Sequence, residues 1–165
     1  MIDEIDAIIL NILQSNARTS NAEIARQVGL APSAVFERIR KLEERGVIEG
    51  YLARVNPKAV ELPLLAYVFV RADEKPGAET TARRVAAIPE VLEVHHVAGE
   101  DCFLAKVRAT DTEALGRLLR ERLGGIETIT STRTTIVLNT VKETFALPIE
   151  SPRREGAAVE ESVRV

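Results

Sequence analysis

The fold of the N-terminal part of this chain is decided by residues 3–50, DEIDAIILNILQSNARTSNAEIARQVGLAPSAVFERIRKLEERGVIEG. A first helix is predicted from Asp3 to about Asn16, because apolar residues recur there at spacings of three and four. Those residues are Ile5, Ile8, Ile9, Ile12 and Leu13. They form one stripe along the helix, so we expect this side of it to be buried.

Two more helices are predicted after the first. Ser20 has Glu23 three residues later, a capping box that predicts the start of a second helix, and Gly29 supplies the tight turn that ends it. Pro32 suits the first turn of a third helix, where its missing N–H is not needed, and Gly46 ends that helix. Short helices joined by such a turn predict a helix-turn-helix, whose last helix enters the major groove of DNA.

The third helix has a buried side and a polar side. At about 100° per residue, Val35, Ile39 and Leu42 point the same way, and charged residues lie opposite them. Arginine and lysine can bind phosphates or base edges, and phenylalanine can touch a thymine methyl group. The predicted DNA-binding residues are Ser33, Phe36, Arg38, Arg40, Lys41 and Arg45. Two alternatives stay open: the charges form an ordinary solvated face, and Phe36 packs against the first helix.

The charge balance argues against strong DNA binding by a single copy. Residues 1–50 hold six Arg and Lys against eight Asp and Glu, a net charge of −2, and the whole chain carries −3. A DNA-binding domain usually presents a basic patch. Linking several weak units raises the effective concentration of the next one, so the composition favours an oligomer.

Composition also limits the class of protein. A length of 165 residues and 45% apolar content allow one or two domains with real cores. Cys102 is the only cysteine, which excludes an internal disulfide and a multi-cysteine metal site. No apolar run approaches the roughly 18 residues of a membrane helix, and the N-terminus does not resemble a signal peptide. We therefore expect a cytoplasmic protein.

The pattern changes after residue 50. We predict a linker strand and connector over 51–63, a module over 64–145 and a flexible or loosely docked tail over 146–165, with at most a short helix near 155–162. The elements predicted after the helix-turn-helix are strands Tyr51–Val55 and Leu64–Ala72, helix Ala78–Ile88, strands Val91–Ala98 and Cys102–Ala109, helix Thr110–Leu123 (started by a Thr110–Glu113 capping box) and strand Ile126–Val141. From the second strand on, this is the βαββαβ order of a ferredoxin-like fold. Its sheet has helices on one face, so the other face needs a partner.

Four spaced strings stand out in the sequence: IDAIILNILQSNARTSNAEIARQVGL, VFERIRKLEERGVIEGY, VAGEDCFLAKV and TTIVLNTVKE, which together cover about residues 2–143. In this order they resemble the Lrp/AsnC family of leucine- and asparagine-responsive transcriptional regulators. The resemblance implies an α+β chain with an N-terminal winged helix-turn-helix and a C-terminal ferredoxin-like (RAM-type) domain. It further implies dimers that assemble to tetramers or octamers and bind an amino acid between them. Ala31 departs from the hydroxyl N-cap that is often found at this position, because alanine cannot cap a helix.

The loop Gly99–Phe103 is the predicted effector site. A glycine lets a backbone approach a small zwitterion, free N–H groups can hold its carboxylate, and an acid can hold its ammonium group. The resemblance adds Thr132 and Thr134 as pocket residues. The predicted effector-binding residues are Gly99, Glu100, Asp101, Cys102, Phe103, Thr132 and Thr134. The alternative is an ordinary hairpin turn beside ordinary strand threonines.

No residue pattern indicates catalysis, a metal or a cofactor. His95 and His96 are neighbours in a predicted strand and face opposite sides, so they cannot easily share a metal ion. No base is marked for Cys102, and phosphate-binding and dinucleotide-binding motifs are absent from the sequence. We expect a regulator rather than an enzyme. The alternatives are an architectural DNA-binding protein without an effector and, less favoured, a ferredoxin-like enzyme with a helical appendage.

Overall fold

A computed structural model describes residues 2–75 and 77–150. The chain forms two compact units. One holds the chain up to Ala53 together with the segment that begins at Glu143, and the other spans Arg54–Lys142.

The first unit contains the three predicted helices. They are α1 (Glu4–Ser15), α2 (Asn21–Val28) and α3 (Pro32–Glu44). Their inward sides form one core made of Ile9, Ile24, Ala25, Val35 and Ile39. Each of these residues lies on a stripe with helical spacing, so burying the stripes together fixes the three-helix arrangement. The helix-turn-helix prediction is confirmed.

The ends of these helices show which caps the sequence supplies. Asp3 and Asp6 form a reciprocal capping box at the start of α1, with N–O distances of 2.8 and 3.3 Å. Ser20 accepts a hydrogen bond from the Glu23 N–H at 3.2 Å, as the predicted cap of α2 requires. Gly29 has a φ of 70° and makes the predicted left-handed turn. α3 begins after Ala31 and has no side-chain cap.

The predicted strand Tyr51–Val55 is wrong. Residues 51–55 adopt no regular secondary structure, and Leu52 is 87% exposed. A strand needs hydrogen bonds to a neighbour, and within residues 2–75 and 77–150 no segment pairs with this one. The connector after it contains one 3₁₀ turn at Pro57–Val60.

The second unit is a four-stranded antiparallel sheet with helices between its strands. Its elements are β1 (Leu64–Ala72), α4 (Thr80–Ala86), β2 (Val91–His96), β3 (Phe103–Ala109), α5 (Thr112–Arg117), which continues as a π-helical turn (Leu118–Leu123), and β4 (Ile129–Ile136). The strand order is β2-β3-β1-β4, the arrangement of a ferredoxin-like fold. The predicted C-terminal fold is confirmed.

The two faces of the sheet differ. Val68 and Val70 on β1 and Val107 on β3 are fully buried under the helices. Their neighbours along the strands point to the opposite face, where Tyr67 on β1 is paired with Lys106 on β3 and Thr135 on β4. None of the described helices covers this second face, which we call the open face.

Several element bounds differ from the predicted ones. β4 was expected to reach Val141 but ends at Ile136, because its neighbour β1 begins at Leu64 and the last bond joins the Val137 N–H to the Leu65 carbonyl at 2.9 Å. The predicted capping box at Thr110 is wrong. The cap is Asp111, whose side chain accepts from the Ala114 N–H at 2.7 Å. α4, β2 and β3 are shorter than predicted by one to four residues.

The described end of the chain docks on α1. The Gln14 side-chain amide donates to the Leu147 carbonyl at 3.1 Å and accepts from the Leu147 N–H at 2.6 Å. The Asn11 amide donates to the Ile149 carbonyl at 3.0 Å. Residues 151–165, including the short helix expected near 155–162, lie outside the described residues. Within the described ranges, the helices are all too short or too polar to cross a bilayer.

Candidate functional site

The outward side of α3 is the candidate DNA-reading surface. Val35, Ile39 and Leu42 are buried, which turns the opposite side of the helix to solvent. Ser33 and Lys41 are exposed on that side. Neither has a side-chain hydrogen bond or ion pair among the described residues. Phe36 is 52% exposed, so it is only partly buried and retains surface for a partner.

Arg38 is held by the start of α1. Its Nη1 atom lies 2.7 Å from Asp3 Oδ2 and 2.7 Å from Asp6 Oδ1. The hydrogen bond from the Asp6 N–H and the one from Arg38 hold the pKa of Asp3 below its usual value, and the two carboxylates raise the pKa of Arg38. The sequence prediction placed Arg38 near DNA phosphates; in the structure this guanidinium ties α3 to α1.

Arg40 lies between two acids of its own helix. Its Nη2 is 2.8 Å from Glu37 Oε2, and its Nη1 is 2.5 Å from Glu44 Oε1. Hydrogen bonds to these carboxylates raise the pKa of Arg40. All three side chains are about half exposed. The predicted groove residue is therefore in place on the outward side, but it is already paired.

The chain segment after α3 is fixed by Tyr51. Its hydroxyl donates to Glu43 Oε1 at 2.8 Å. Burial, with a further contribution from the Glu43 carboxylate, raises the pKa of Tyr51 to about 12. Arg45 caps the end of α3 through its backbone N–H, which donates to the Lys41 carbonyl at 3.1 Å.

The predicted effector loop joins β2 to β3 and is anchored to the centre of the sheet. The Val97 N–H donates to the Cys102 carbonyl at 3.0 Å, and the Cys102 N–H donates to the Val70 carbonyl at 2.9 Å. The Cys102 thiol lies 3.5 Å from both the N and the O of Ala72. Gly99 has a φ of 146°, a conformation that favours glycine.

Two arginines hold the acids of this loop. Arg71 donates through Nε to the Glu100 carbonyl at 3.1 Å and pairs through Nη2 with Glu100 Oε2 at 3.3 Å. Arg133 Nη2 lies 3.0 Å from Asp101 Oδ2. The Arg133 guanidinium also stacks over the Phe69 ring, 3.9 Å from its centroid. The loop is thus tied to β1 and β4 as well as to the strands that it joins.

The remaining predicted effector residues are not all brought to this surface. Phe103 is 3% exposed and belongs to the core. Thr132 pairs with Val70 and Thr134 with Val68, so both threonines point to the helix-covered face. Arg133 lies between them and points to the open face. Asp101, which pairs with Arg133, therefore lies toward the open face of β4, whereas the two threonines lie on its helix-covered face.

Arg71 and Arg133 also belong to this site, although they are not among the predicted residues. Both sit on the open face, where β1 and β4 pair Arg71 with Ser131 and Phe69 with Arg133. The only sequence signal was a cation in each of two apolar or threonine-rich strands.

The two histidines, His95 and His96, behave as expected for neighbours in a strand. His95 bonds Glu93 at 3.3 Å, whereas the His96 ring contacts Phe103 at a centroid distance of 5.2 Å.

Both units match known protein families. The N-terminal unit matches the winged helix-turn-helix DNA-binding family over residues 2–49, and the C-terminal unit matches the Lrp/AsnC ligand binding domain over residues 65–147. The chain belongs to the Lrp/AsnC family. It is therefore a transcriptional regulator that has a DNA-binding domain followed by a ligand-binding domain.

Other members of the family are similar over nearly their whole length. The HTH-type transcriptional regulator FL11 of Pyrococcus horikoshii is 38% identical, with 90% of this chain and 97% of that protein covered. The leucine-responsive regulatory protein of Escherichia coli is 38% identical, with coverage of 91% and 93%. A solved structure of a transcriptional regulator from Neisseria meningitidis in complex with L-methionine has a TM-score of 0.85 at 32% identity, with coverage of 90% and 97%.

Proposed function

We propose that this Lrp/AsnC regulator binds specific DNA through α3 and changes its binding when a small amino acid occupies the Gly99–Phe103 loop. The observation that carries the proposal is the anchoring of this loop. Asp101 is an acid held at the surface by Arg133, on a turn fixed to the two central strands. A rigid turn with a glycine and a fixed carboxylate has the elements needed to bind a zwitterion.

The proposed DNA contacts lie on the outward side of α3. Ser33, Arg40 and Lys41 face the groove, and Phe36 and Arg45 lie at its margins, with Arg45 near a phosphate. The net charge of −2 over residues 1–50 makes each unit a weak binder. Arg38 instead positions α3, because its guanidinium already has two carboxylate partners.

The proposed effector is an α-amino acid. The regulator from Neisseria meningitidis, which has a similar fold, was solved with L-methionine. Arg133 bonds to one oxygen of the Asp101 carboxylate, and a carboxylate can accept about four hydrogen bonds, so an ammonium group can still bind it. Backbone N–H groups of the turn would meet the carboxylate of the ligand. Thr132 and Thr134 would contribute only from the other face of β4.

The proposed assembly is a dimer formed through the open face, with dimers joining into tetramers or octamers. A loop that lies at a contact between dimers would let the ligand change the assembly. The assembly sets how many copies of α3 act on one DNA molecule. DNA and amino acid would then alter each other's affinity by the same factor. The proposal contains no catalytic step and needs no cofactor.

The ligand site is tested by calorimetry with each of the twenty amino acids. We expect wild-type protein to bind at least one of them, and Asp101→Asn to weaken that binding at least about tenfold, as expected for the loss of a charge-assisted bond. Glu113→Gln is the matched control, because Glu113 follows the other end of β3 and pairs with Arg117. Equal binding by wild type and Asp101→Asn would contradict the site.

An architectural DNA-binding protein without an effector is the second candidate. It is favoured by one observation: both acids of the loop are already paired with Arg71 and Arg133. A loop whose charges are satisfied internally has less to offer a zwitterion. Wild-type protein that binds DNA but none of the twenty amino acids would support this candidate.

A further inference from the structure

The centre of the outward side of α3 is acidic rather than basic. At about 100° per residue, Glu37 and Glu44 lie within about 20° of the direction opposite the buried stripe. Arg40 lies beside them, about 45° from that direction. Any duplex that this helix approaches would therefore meet two carboxylates first, and the nearest guanidinium is bound to both of them.

The two carboxylates bind Arg40 from both sides along the helix. Glu37 is three residues before it and accepts from both Nε at 3.2 Å and Nη2 at 2.8 Å, and Glu44 is four residues after it. These are the spacings at which helix side chains are neighbours. The pairs are about half exposed, and exposed ion pairs contribute little stability, so contacts to base edges in addition to phosphates can displace them.

We propose that Glu37 and Glu44 are specificity-determining residues that suppress sequence-independent DNA binding by holding Arg40. This inference rests on the proposed function of α3 as the helix that enters the groove. Sequence-independent binding depends on the attraction between basic side chains and phosphates. Because Arg40 is paired and two carboxylates lie at the centre of the surface, contacts with the phosphate backbone alone add little to the affinity for DNA. Base edges can compensate, because they offer acceptors to a guanidinium and a cytosine amino group to a carboxylate.

The test measures affinity for a random-sequence duplex, by fluorescence anisotropy with the full chain, for Glu37→Gln, Glu44→Gln and the double variant. Glu43→Gln is the matched control. It removes the same charge from the same helix, but Glu43 bonds Tyr51 instead of Arg40, and a glutamine oxygen can still accept from that hydroxyl.

We expect each single variant to bind the random duplex about threefold more tightly and the double variant about tenfold more tightly, with less than about twofold for Glu43→Gln. The released guanidinium should gain a phosphate contact, so the slope of log K against log salt should steepen by about one in the double variant. When Arg40 is also replaced (Arg40→Gln), the same two substitutions should raise the affinity for the random duplex by less than they do in the wild-type protein.

Three results would overturn the inference. One is a double variant whose gain in affinity for the random duplex, per charge removed, is no larger than that of Glu43→Gln. Another is a slope of log K against log salt that does not change in the double variant. If wild type binds DNA while either of these holds, only the inference is wrong. If neither wild type nor the double variant binds any duplex at low salt, both the inference and the proposed DNA-reading role of α3 are wrong.

Discussion

Among single residues, Arg38 has the clearest structural task. Its guanidinium joins α3 to Asp3 and Asp6 of α1, and the Asp6 side chain is only 10% exposed. Arg38→Gln leaves this carboxylate in a poorly solvated place without its cation, so we expect the N-terminal unit to lose about 1–2 kcal/mol of unfolding free energy. Urea denaturation measures this loss. Lys41→Gln on the same helix should change stability by less than about 0.5 kcal/mol, and equal effects of the two substitutions would contradict the role of Arg38.

Tyr51 is a second single residue that leads to a prediction, which concerns the pH dependence of stability. Its phenol pKa is raised from 10.0 to about 12 by burial and by Glu43. A raised pKa means that the folded state favours the neutral phenol. The resulting stabilisation is complete below pH 10 and is lost as the pH rises toward 12.

The Tyr51 pKa is measured by NMR titration of the tyrosine Cζ resonances, with Tyr51→Phe to assign the signal. Glu43→Gln removes the carboxylate charge and should move the pKa partly back toward its ordinary value. A Tyr51 resonance that titrates near 10 in the wild-type protein would show that the phenol is neither partly desolvated nor bonded to Glu43 as described.

At the scale of elements, the missing cap of α3 is a local defect that can be corrected. Ala31 has a φ of −74° and a ψ of 147°, the extended backbone of an N-cap residue, but no side-chain oxygen. We expect Ala31→Ser to stabilise the N-terminal unit by about 1 kcal/mol, because the hydroxyl can accept an orphan N–H of the first turn. Thermal and urea unfolding measure the gain. Ser20→Ala, which removes the existing cap of α2, should cost about as much. No gain from Ala31→Ser would contradict the assigned helix start.

The elements that could be predicted from the sequence are those marked by residues within the element itself or next to it. β1 was predicted with both of its ends correct, because eight of its nine residues are apolar and a polar turn follows it. β4 was predicted too long, and the strand at 51–55 was predicted where none exists. In both cases a segment of favourable composition finds no partner strand among residues 2–75 and 77–150, and pairing depends on distant parts of the chain. β propensity alone does not supply that information.

The candidate site was predictable only in part for the same reason. The loop at Gly99 could be found from its glycine and its acids, because both are adjacent in the sequence. The partners of those acids, Arg71 and Arg133, are 29 and 32 residues away. The pairing of Arg38 with Asp3 likewise spans 35 residues. Register across the sheet brings the first two pairs together, and no spacing rule within one element reveals them.

For the whole molecule, the open face of the sheet predicts self-association. Tyr67 and Phe69 lie on this face among charged residues and are only partly buried, and partly exposed aromatic side chains of this kind are enriched at protein interfaces. We expect light scattering to find at least a dimer at about 10 µM, and Tyr67→Glu to shift the protein toward monomer. Arg122→Gln on the helical side lowers the net charge by one, as Tyr67→Glu does, and should leave the mass unchanged. A wild-type monomer at this concentration would contradict the predicted interface.

The central claim is that one chain couples DNA binding to amino-acid binding, and a DNA titration tests it most directly. Fluorescence anisotropy of a labelled duplex selected by the wild-type protein is measured with and without the amino acid found by calorimetry. Couplings of this kind are typically about 5–150-fold. We therefore expect the protein concentration at the midpoint of the DNA titration to change at least about fivefold for wild-type protein when the amino acid is added. For Asp101→Asn, the midpoint should not change at the same ligand concentration. A wild-type midpoint that none of the twenty amino acids moves would contradict the claim.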